Sequence, residues 1–218
     1  MNRVEYHLKE LELAAEHVQE ALQCLLHTIV FARWPHQKGP LRPQEIQCEH
    51  FPVAYASCGE AVVYRRIDDS IQTFMSSLVP AGPELLKGCL TLGFFYRRTN
   101  KVVFWAYEEK VVFEEWIIPL LVNNTPHLAV NAPITALERD RMQKSADAMY
   151  CRRPDAHDES TRTASLLDQM MEIFTQVNSS HDHVPPHHYD FEMSCSLRSE
   201  QREAFRTRVM ATPLPVPV

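Results

Sequence analysis

The hydrophobic pattern predicts an α+β fold in which helices pack on a largely antiparallel sheet. A short alternating segment near the N-terminus leads into a long helical one. Strand-like segments then fill the middle of the chain, and helical spacing returns only after them, before a last short strand-like run. This order differs from the strand–helix alternation of a doubly wound nucleotide fold, and the sequence has no glycine-rich phosphate loop.

Val4, Tyr6 and Leu8 alternate as in a strand; the alternation then skips a position to Leu11 and Leu13, where a bulge or an early exit is expected. Val18, Ala21, Leu22, Leu25, Leu26, Ile29 and Val30 recur at helical spacing, and the breadth of their stripe predicts a central helix ending near Arg33. Pro35 to Pro43 reads as a loop. Ile46 to Glu49, Val53 to Ala56 and Ala61 to Tyr64 read as short strands. Asp68 or Asp69 is expected to cap a second helix carrying Ile71, Phe74, Met75 and Leu78. Pro80-Ala81-Gly82-Pro83 is expected to break the chain.

Leu90, Leu92 and Phe94 form a strand entering Tyr96-Arg97-Arg98. Val111 to Val122 is strand-like, with Pro119 favouring an edge or a bulge. Pro133 suits the first turn of a third helix over about Thr135 to Cys151. A charged break follows from Arg152 to Ser160. A fourth helical pattern carries Leu166, Leu167, Met170, Met171, Ile173, Phe174 and Val177, and Tyr189 to Ser194 reads as a strand. Residues 1–195 are expected to form one domain. Residues 196–218 are read as a flexible extension with a proline-rich tail.

A chain of 218 residues that is 45% hydrophobic buries a sizeable core without covalent staples. The formal net charge of −6 argues against nucleic acid or an anionic membrane as the main partner, since both reward a basic face. Arg65-Arg66, Arg97-Arg98 and Arg152-Arg153 are only short doublets. The first twelve residues lack an apolar signal core and no run approaches eighteen apolar residues, so a soluble, cytoplasmic protein with reduced thiols is expected.

Few residues suggest chemistry. Cys24 and His27 share a helical face, but they lie in or beside the apolar stripe, where a thiol is inert. Cys58-Gly59 resembles a reactive turn superficially. His181, His183, His187 and His188 include metal-ligand spacing, yet Pro185-Pro186 interrupts them and no cysteine or carboxylate pattern accompanies them. Asp155, Asp158 and Glu159 lack the glycine and oxygen spacing of a calcium loop and read as a charged linker. No catalytic residue, metal site or cofactor is therefore predicted. A small hydrolase using Cys58, or a metal enzyme using the histidines, is the alternative.

Phe104-Trp105-Ala106-Tyr107 lies between two charged runs. Large rings in such a setting suit an interface hot spot, where each contributes about 2 kcal/mol or more. Val103, Trp105 and Tyr107 also alternate, as in a buried hairpin strand, and periodicity does not choose between the two readings.

Several segments resemble the autophagy-related protein 101 family. They are the helix Val18-Gln-Glu-Ala-Leu-Gln-Cys-Leu-Leu-His27-Thr-Ile-Val30, the strand Leu90-Thr-Leu-Gly-Phe-Phe-Tyr-Arg-Arg98, the run Phe104-Trp105-Ala-Tyr-Glu-Glu-Lys-Val-Val-Phe113-Glu-Glu-Trp116, and His183-Val184-Pro185-Pro186. The resemblance runs loosely from residue 4 to 195. It implies a HORMA-like domain locked in one state, with a short C-terminal portion instead of a mobile belt. It also implies a non-catalytic adaptor of the autophagy-initiation kinase complex, acting in the cytoplasm and at the phagophore assembly site. The expected partner is the HORMA domain of autophagy-related protein 13, held as a heterodimer. The family's protruding Trp-Phe finger, which recruits downstream autophagy factors, corresponds here to Phe104 and Trp105 in inverted order. Phe113 stands where the family usually has Trp, while Glu114 and Trp116 fit its pattern. The charged run from Arg152 to Ser160 interrupts a helix that is more continuous in the family, and the tail after Ser196 has no clear counterpart. A HORMA adaptor outside autophagy that reads a closure peptide is the further alternative.

Overall fold

The computed structural model describes residues 3–34, 41–82, 84–102, 105–124, 156–179 and 181–195. Eight strands and three helices are seen among them: β1 (Val4–His7), β2 (Leu11–Ala14), α1 (Val18–Ala32), β3 (Gln44–Gln47), β4 (Ala54–Ser57), α2 (Ala61–Ser77), β5 (Val79–Gly82), β6 (Leu85–Val102), β7 (Trp105–Asn123), α3 (Ala156–Ser179) and β8 (Asp190–Cys195). The main sheet has β6 and β7 at its centre. β1 and β2 flank β7, while β5 and β8 flank β6, and β3–β4 is a separate hairpin. Only β1 and β2 run parallel to their neighbour; the other pairings are antiparallel. The α+β, mostly antiparallel architecture is the one expected.

One face of the sheet carries Leu90, Leu92, Phe94, Trp116, Ile118, Leu120 and Val122 into a single core shared with the helices. α1 is buried on nearly every side from Ala21 to Val30, which explains the breadth of its stripe. Two bulges keep apolar side chains on this face where the strands would otherwise lose register. Between the pairs His7–Ile117 and Leu11–Leu120, the β1–β2 segment has three residues against two on β7. The extra residue reverses the alternation, so Leu8 and Leu11, an odd number of positions apart, are both buried.

Pro119 lies opposite this interruption. Leu8 N–H donates to the Ile117 carbonyl at 3.0 Å, so by strand periodicity the nitrogen of residue 119 also faces the β1–β2 side. The missing N–H therefore falls where the ladder is already broken. This explains a proline in an interior strand, where the sequence suggested an edge or a bulge. The second bulge puts Phe113 between the pairs Phe94–Glu114 and Phe95–Val112, so that Phe113 and Glu114 are consecutive and both buried.

Other expectations are corrected. Ala61 to Tyr64 is the first turn of α2, not a strand: Val63, Ile67, Ile71 and Phe74 are its buried residues, and this helical spacing outweighs the β-branched pair. Asp68 consequently sits mid-helix, where it accepts a 2.8 Å hydrogen bond from Gln23 Nε2 instead of capping. Val79–Gly82 pairs irregularly with β6 as an edge strand, where a break was expected. The charged break also ends earlier, since α3 already begins at Ala156. The helix expected over Thr135 to Cys151 and the extension from Ser196 lie outside the described residues.

Gly59, in the turn before α2, has φ of 70°, and a Cβ there would lie 2.4 Å from the Arg42 carbonyl oxygen. Cys58-Gly59 is thus a conformational necessity of the turn. Replacing Gly59 with Ala is expected to cost about 1–2 kcal/mol from φ alone, and more from the contact, read as a lower urea midpoint at unchanged m-value.

Candidate functional site: a closed charged cluster and a projecting arm

Glu114 is completely buried and its carboxylate collects donors from three elements. Arg33, just past the end of α1, presents Nε to both oxygens at 3.0 and 2.9 Å. Trp116 Nε1 donates at 2.5 Å from two residues along β7, and His183 Nε2 lies 2.5 Å from the second oxygen. A carboxylate only accepts, so His183 is held with its proton on Nε2. Arg33 Nη1 also reaches the Val177 carbonyl at 3.2 Å, and Tyr189 Oη donates to the Arg33 carbonyl at 2.9 Å. The rings of Tyr6 and Trp116, 4.3 Å apart, close the cluster from β1.

This assembly resembles an acid–base centre in composition but not in access. Arg33, Glu114 and His183 have side chains at most 7% exposed, so the cluster offers no open face to a substrate. Its effect is mechanical. It ties the end of α1 and the middle of β7 to the segment between α3 and β8, fixing the C-terminal strand to the core. The sequence marks Glu114 and Trp116 only as family-like, because Arg33 and His183, the distant partners of Glu114, lie 81 and 69 residues away in the chain.

The histidines considered for metal binding do not converge. His183 turns inward to Glu114, His181 Nδ1 lies 3.5 Å from Arg33 Nη1, and exposed His187 packs edge-on against Tyr96 with centroids 4.5 Å apart. Among the described residues no group of three or more His, Cys, Asp or Glu side chains is gathered to hold a metal. Cys58 is 1% exposed, too deeply buried for attack on a substrate. Cys24 and His27 are both buried, as expected, and do not form a dyad. Cys24 Sγ contacts Met170 Sδ at 3.4 Å, and burial, with Cys48 adding, pushes its thiol well above the usual range. The His27 ring packs 5.6 Å from Tyr55 and 4.7 Å from Tyr64.

The accessible features lie elsewhere. Beyond the pairs Phe95–Asp190 and Val4–Glu114, β6 and β7 pair only with each other among the described residues. Seven residue pairs, Tyr96–Val111 to Val102–Trp105, make a two-stranded arm. At about 3.4 Å per residue it reaches roughly 20 Å past the flanking strands. The Phe113 bulge stands at its root, and bulges of this kind increase the local twist of a strand.

A bare hairpin is marginal in water, and cross-strand pairs reinforce this one. Arg98 Nη2 and Asn100 Nδ2 each donate to Glu109 Oε2 at 2.7 Å, holding its carboxyl below the usual range, and Arg97 reaches Glu108 at 3.3 Å. At the root, Lys110 Nζ lies 4.2 Å from the Phe95 ring centroid and bonds Glu192. Trp105 is the first residue of β7; Phe104 lies outside the described residues.

The second accessible feature is on α3. Leu166, Met170, Ile173 and Val177 face the core, whereas Leu167, Met171 and Phe174 are 41%, 63% and 44% exposed. Their i, i+4, i+7 spacing makes an apolar stripe on the outer side of the helix. In the sequence both faces merged into one pattern.

The fold and these features define a HORMA-like α+β protein whose last strand among the described residues is pinned to its core. The family described as autophagy-related protein 101 matches residues 10–190. Autophagy-related protein 101 of Arabidopsis thaliana is 30% identical, with 88% of this chain and 87% of that protein covered. The chain belongs to the autophagy-related protein 101 family, and its role is in autophagy. No helix among the described residues is long and apolar enough to cross a membrane.

Removing the Glu114 charge strands a buried guanidinium. The substitution Glu114→Gln is expected to cost about 3 kcal/mol or more in urea unfolding, while replacing Arg33 and Glu114 together with apolar residues of similar size costs less than the two single changes combined. His27 makes a separate acid prediction. Burial lowers its pKa from 6.5 to about 4. Between these values the unfolded chain binds a proton that the folded one refuses. The stability contribution is therefore complete above pH 6.5 and is lost as pH falls towards 4, by up to about 3 kcal/mol. In His27→Phe the slope of stability against pH across that window should be shallower by one proton.

Proposed function

We propose that this chain is a non-catalytic adaptor of the autophagy-initiation kinase complex, with two separate protein-binding surfaces. One pairs with and stabilises the HORMA domain of autophagy-related protein 13. The other recruits downstream autophagy factors through Phe104 and Trp105. Family membership supports the setting, in the cytoplasm and at the phagophore assembly site. The observation that carries the recruiting role is the arm: Trp105 is paired at the far end of a ribbon that outruns every flanking strand among the described residues. A Phe-Trp pair of this kind suits capture by another polypeptide.

For the pairing surface, the outer stripe of α3 is the best supported choice. Three large apolar side chains stand exposed at helical spacing on a helix whose opposite face is fixed in the core. Covering such a stripe with a partner removes apolar area worth about 25 cal/mol per Å². A partner that binds only the folded chain also stabilises it by mass action.

Two variants separate the surfaces. Met171→Glu is expected to leave the melting temperature of the isolated chain nearly unchanged and abolish co-elution with the partner HORMA domain. The double change of Phe104 and Trp105 to Ala is expected to keep fold and co-elution while recruitment affinity falls at least about thirtyfold, the equivalent of 2 kcal/mol. If the double variant instead loses several kcal/mol of its own stability, the rings are core and the recruiting role is wrong. If Met171→Glu still pairs normally, the partner covers a different face.

A further inference from the structure

β8 is an edge strand: among the described residues it pairs with β6 on one side and with no strand on the other. The ladder fixes which of its backbone groups face outward. The Ile117 carbonyl is turned to the β1 side, where it accepts from Leu8, so Trp116 and Ile118 turn their backbone groups to their β6 partners Leu92 and Leu90. Thr91, Gly93 and Phe95 therefore turn theirs to Ser194, Glu192 and Asp190 of β8. The backbone donors and acceptors of Phe191, Met193 and Cys195 then face away from the sheet.

At Phe191 both outward groups are taken by side chains. Its N–H donates to Asp190 Oδ1 at 2.9 Å, and its carbonyl accepts from Arg66 Nη2 on α2. Arg66 Nη1 donates to the same Asp190 oxygen at 3.0 Å, which joins the two caps into one unit. The guanidinium also lies 4.1 Å from the Phe191 ring centroid. An acceptor for the N–H and a donor for the carbonyl are what a neighbouring strand would supply, so the ion pair takes the place of one strand residue. Its side chains are 33% and 38% exposed, and pairs at such positions contribute little to stability. Other common protections of an edge are missing here: β8 contains no Lys or Pro, and it pairs with β6 without a bulge.

We propose that the Arg66–Asp190 pair is a plug that closes the outer edge of β8 to strand pairing, and that the strand it excludes is β8 of a second copy of this chain. The edge is self-complementary. In antiparallel pairing about a two-fold axis at Met193, Phe191 meets Cys195 and Glu192 meets Ser194, so no like charges stand opposite and the outward backbone groups of the two strands face each other. The plug occupies the Phe191 step in each copy and leaves only the Met193 step for such a ladder, too little to hold two strands together. Association of the chain is then left to the arm and to the outer stripe of α3.

The test is sedimentation velocity on the purified full-length chain, with amide hydrogen exchange on the same samples. In the wild type the Met193 amide is expected to exchange faster than those of Glu192 and Ser194, which are bonded to β6. Arg66→Met removes the donors but keeps an unbranched side chain against the Phe191 ring, so the fold is retained. This variant should self-associate at least about tenfold more tightly than the wild type, with its Met193 amide becoming protected. Asp190→Ala, which frees the Phe191 N–H, should shift association in the same direction. Adding Met193→Pro to Arg66→Met deletes an outward N–H and no bond to β6, and should restore wild-type sedimentation. The proposal is overturned if Arg66→Met and Asp190→Ala both sediment as the wild type does, or if the association survives Met193→Pro. It is equally overturned if Met171→Glu abolishes the association, since α3 would then be the contact, or if the wild type already protects its Met193 amide by pairing through β8.

Discussion

Glu114 carries a charge at a point from which water is excluded, and much of the molecule is arranged around that fact. A carboxylate there is tolerable only if every donor arrives in place, because an uncompensated buried charge costs several kcal/mol, a large share of a domain's net stability. The donors come from the end of α1, from β7 itself and from the segment following α3. Any movement that frees the C-terminal strand must break this set together. The cluster thus converts an electrostatic penalty into conformational specificity: the arrangement with β8 seated on β6 satisfies it, and arrangements that carry His183 away do not.

The same position organises the arm. Glu114 sits next to the bulged Phe113, so the sheet is anchored most firmly where β6 and β7 leave their flanking strands. Behind the bulge the ribbon is covered by β8 and β1; ahead of it, cross-strand charge pairs among the described residues replace a hydrophobic core. A projecting hairpin needs a rigid root if its tip is to be held in one direction, and the buried cluster, the bulge and the Lys110 contacts supply it.

α3 makes a comparable division around one helix. Its inner residues belong to the shared core, while Leu167, Met171 and Phe174 stand partly exposed on its outer side.

Local periodicity determined much of this protein from the sequence alone. The broad stripe of α1, the alternating runs of β6 and β7, the strand near residue 190 and the α+β order all follow from which residues must leave water, and the family motifs lie within those same elements. The errors arose where short-range signals compete. Val62-Val63 looked like a strand until the spacing continued to Phe74, and Pro80 looked like a break although an edge strand tolerates it. Pro119 marks an irregularity in the sequence, but only its neighbour strands explain why an interior strand accepts it. Tertiary structure alone decided which face of α3 is buried, how far the ribbon outruns its flanks, and that Arg33, Glu114 and His183 meet. Those outcomes depend on contacts between residues many tens of positions apart, and a hydrophobic pattern, being local, has no record of which distant side chain will arrive to balance a charge.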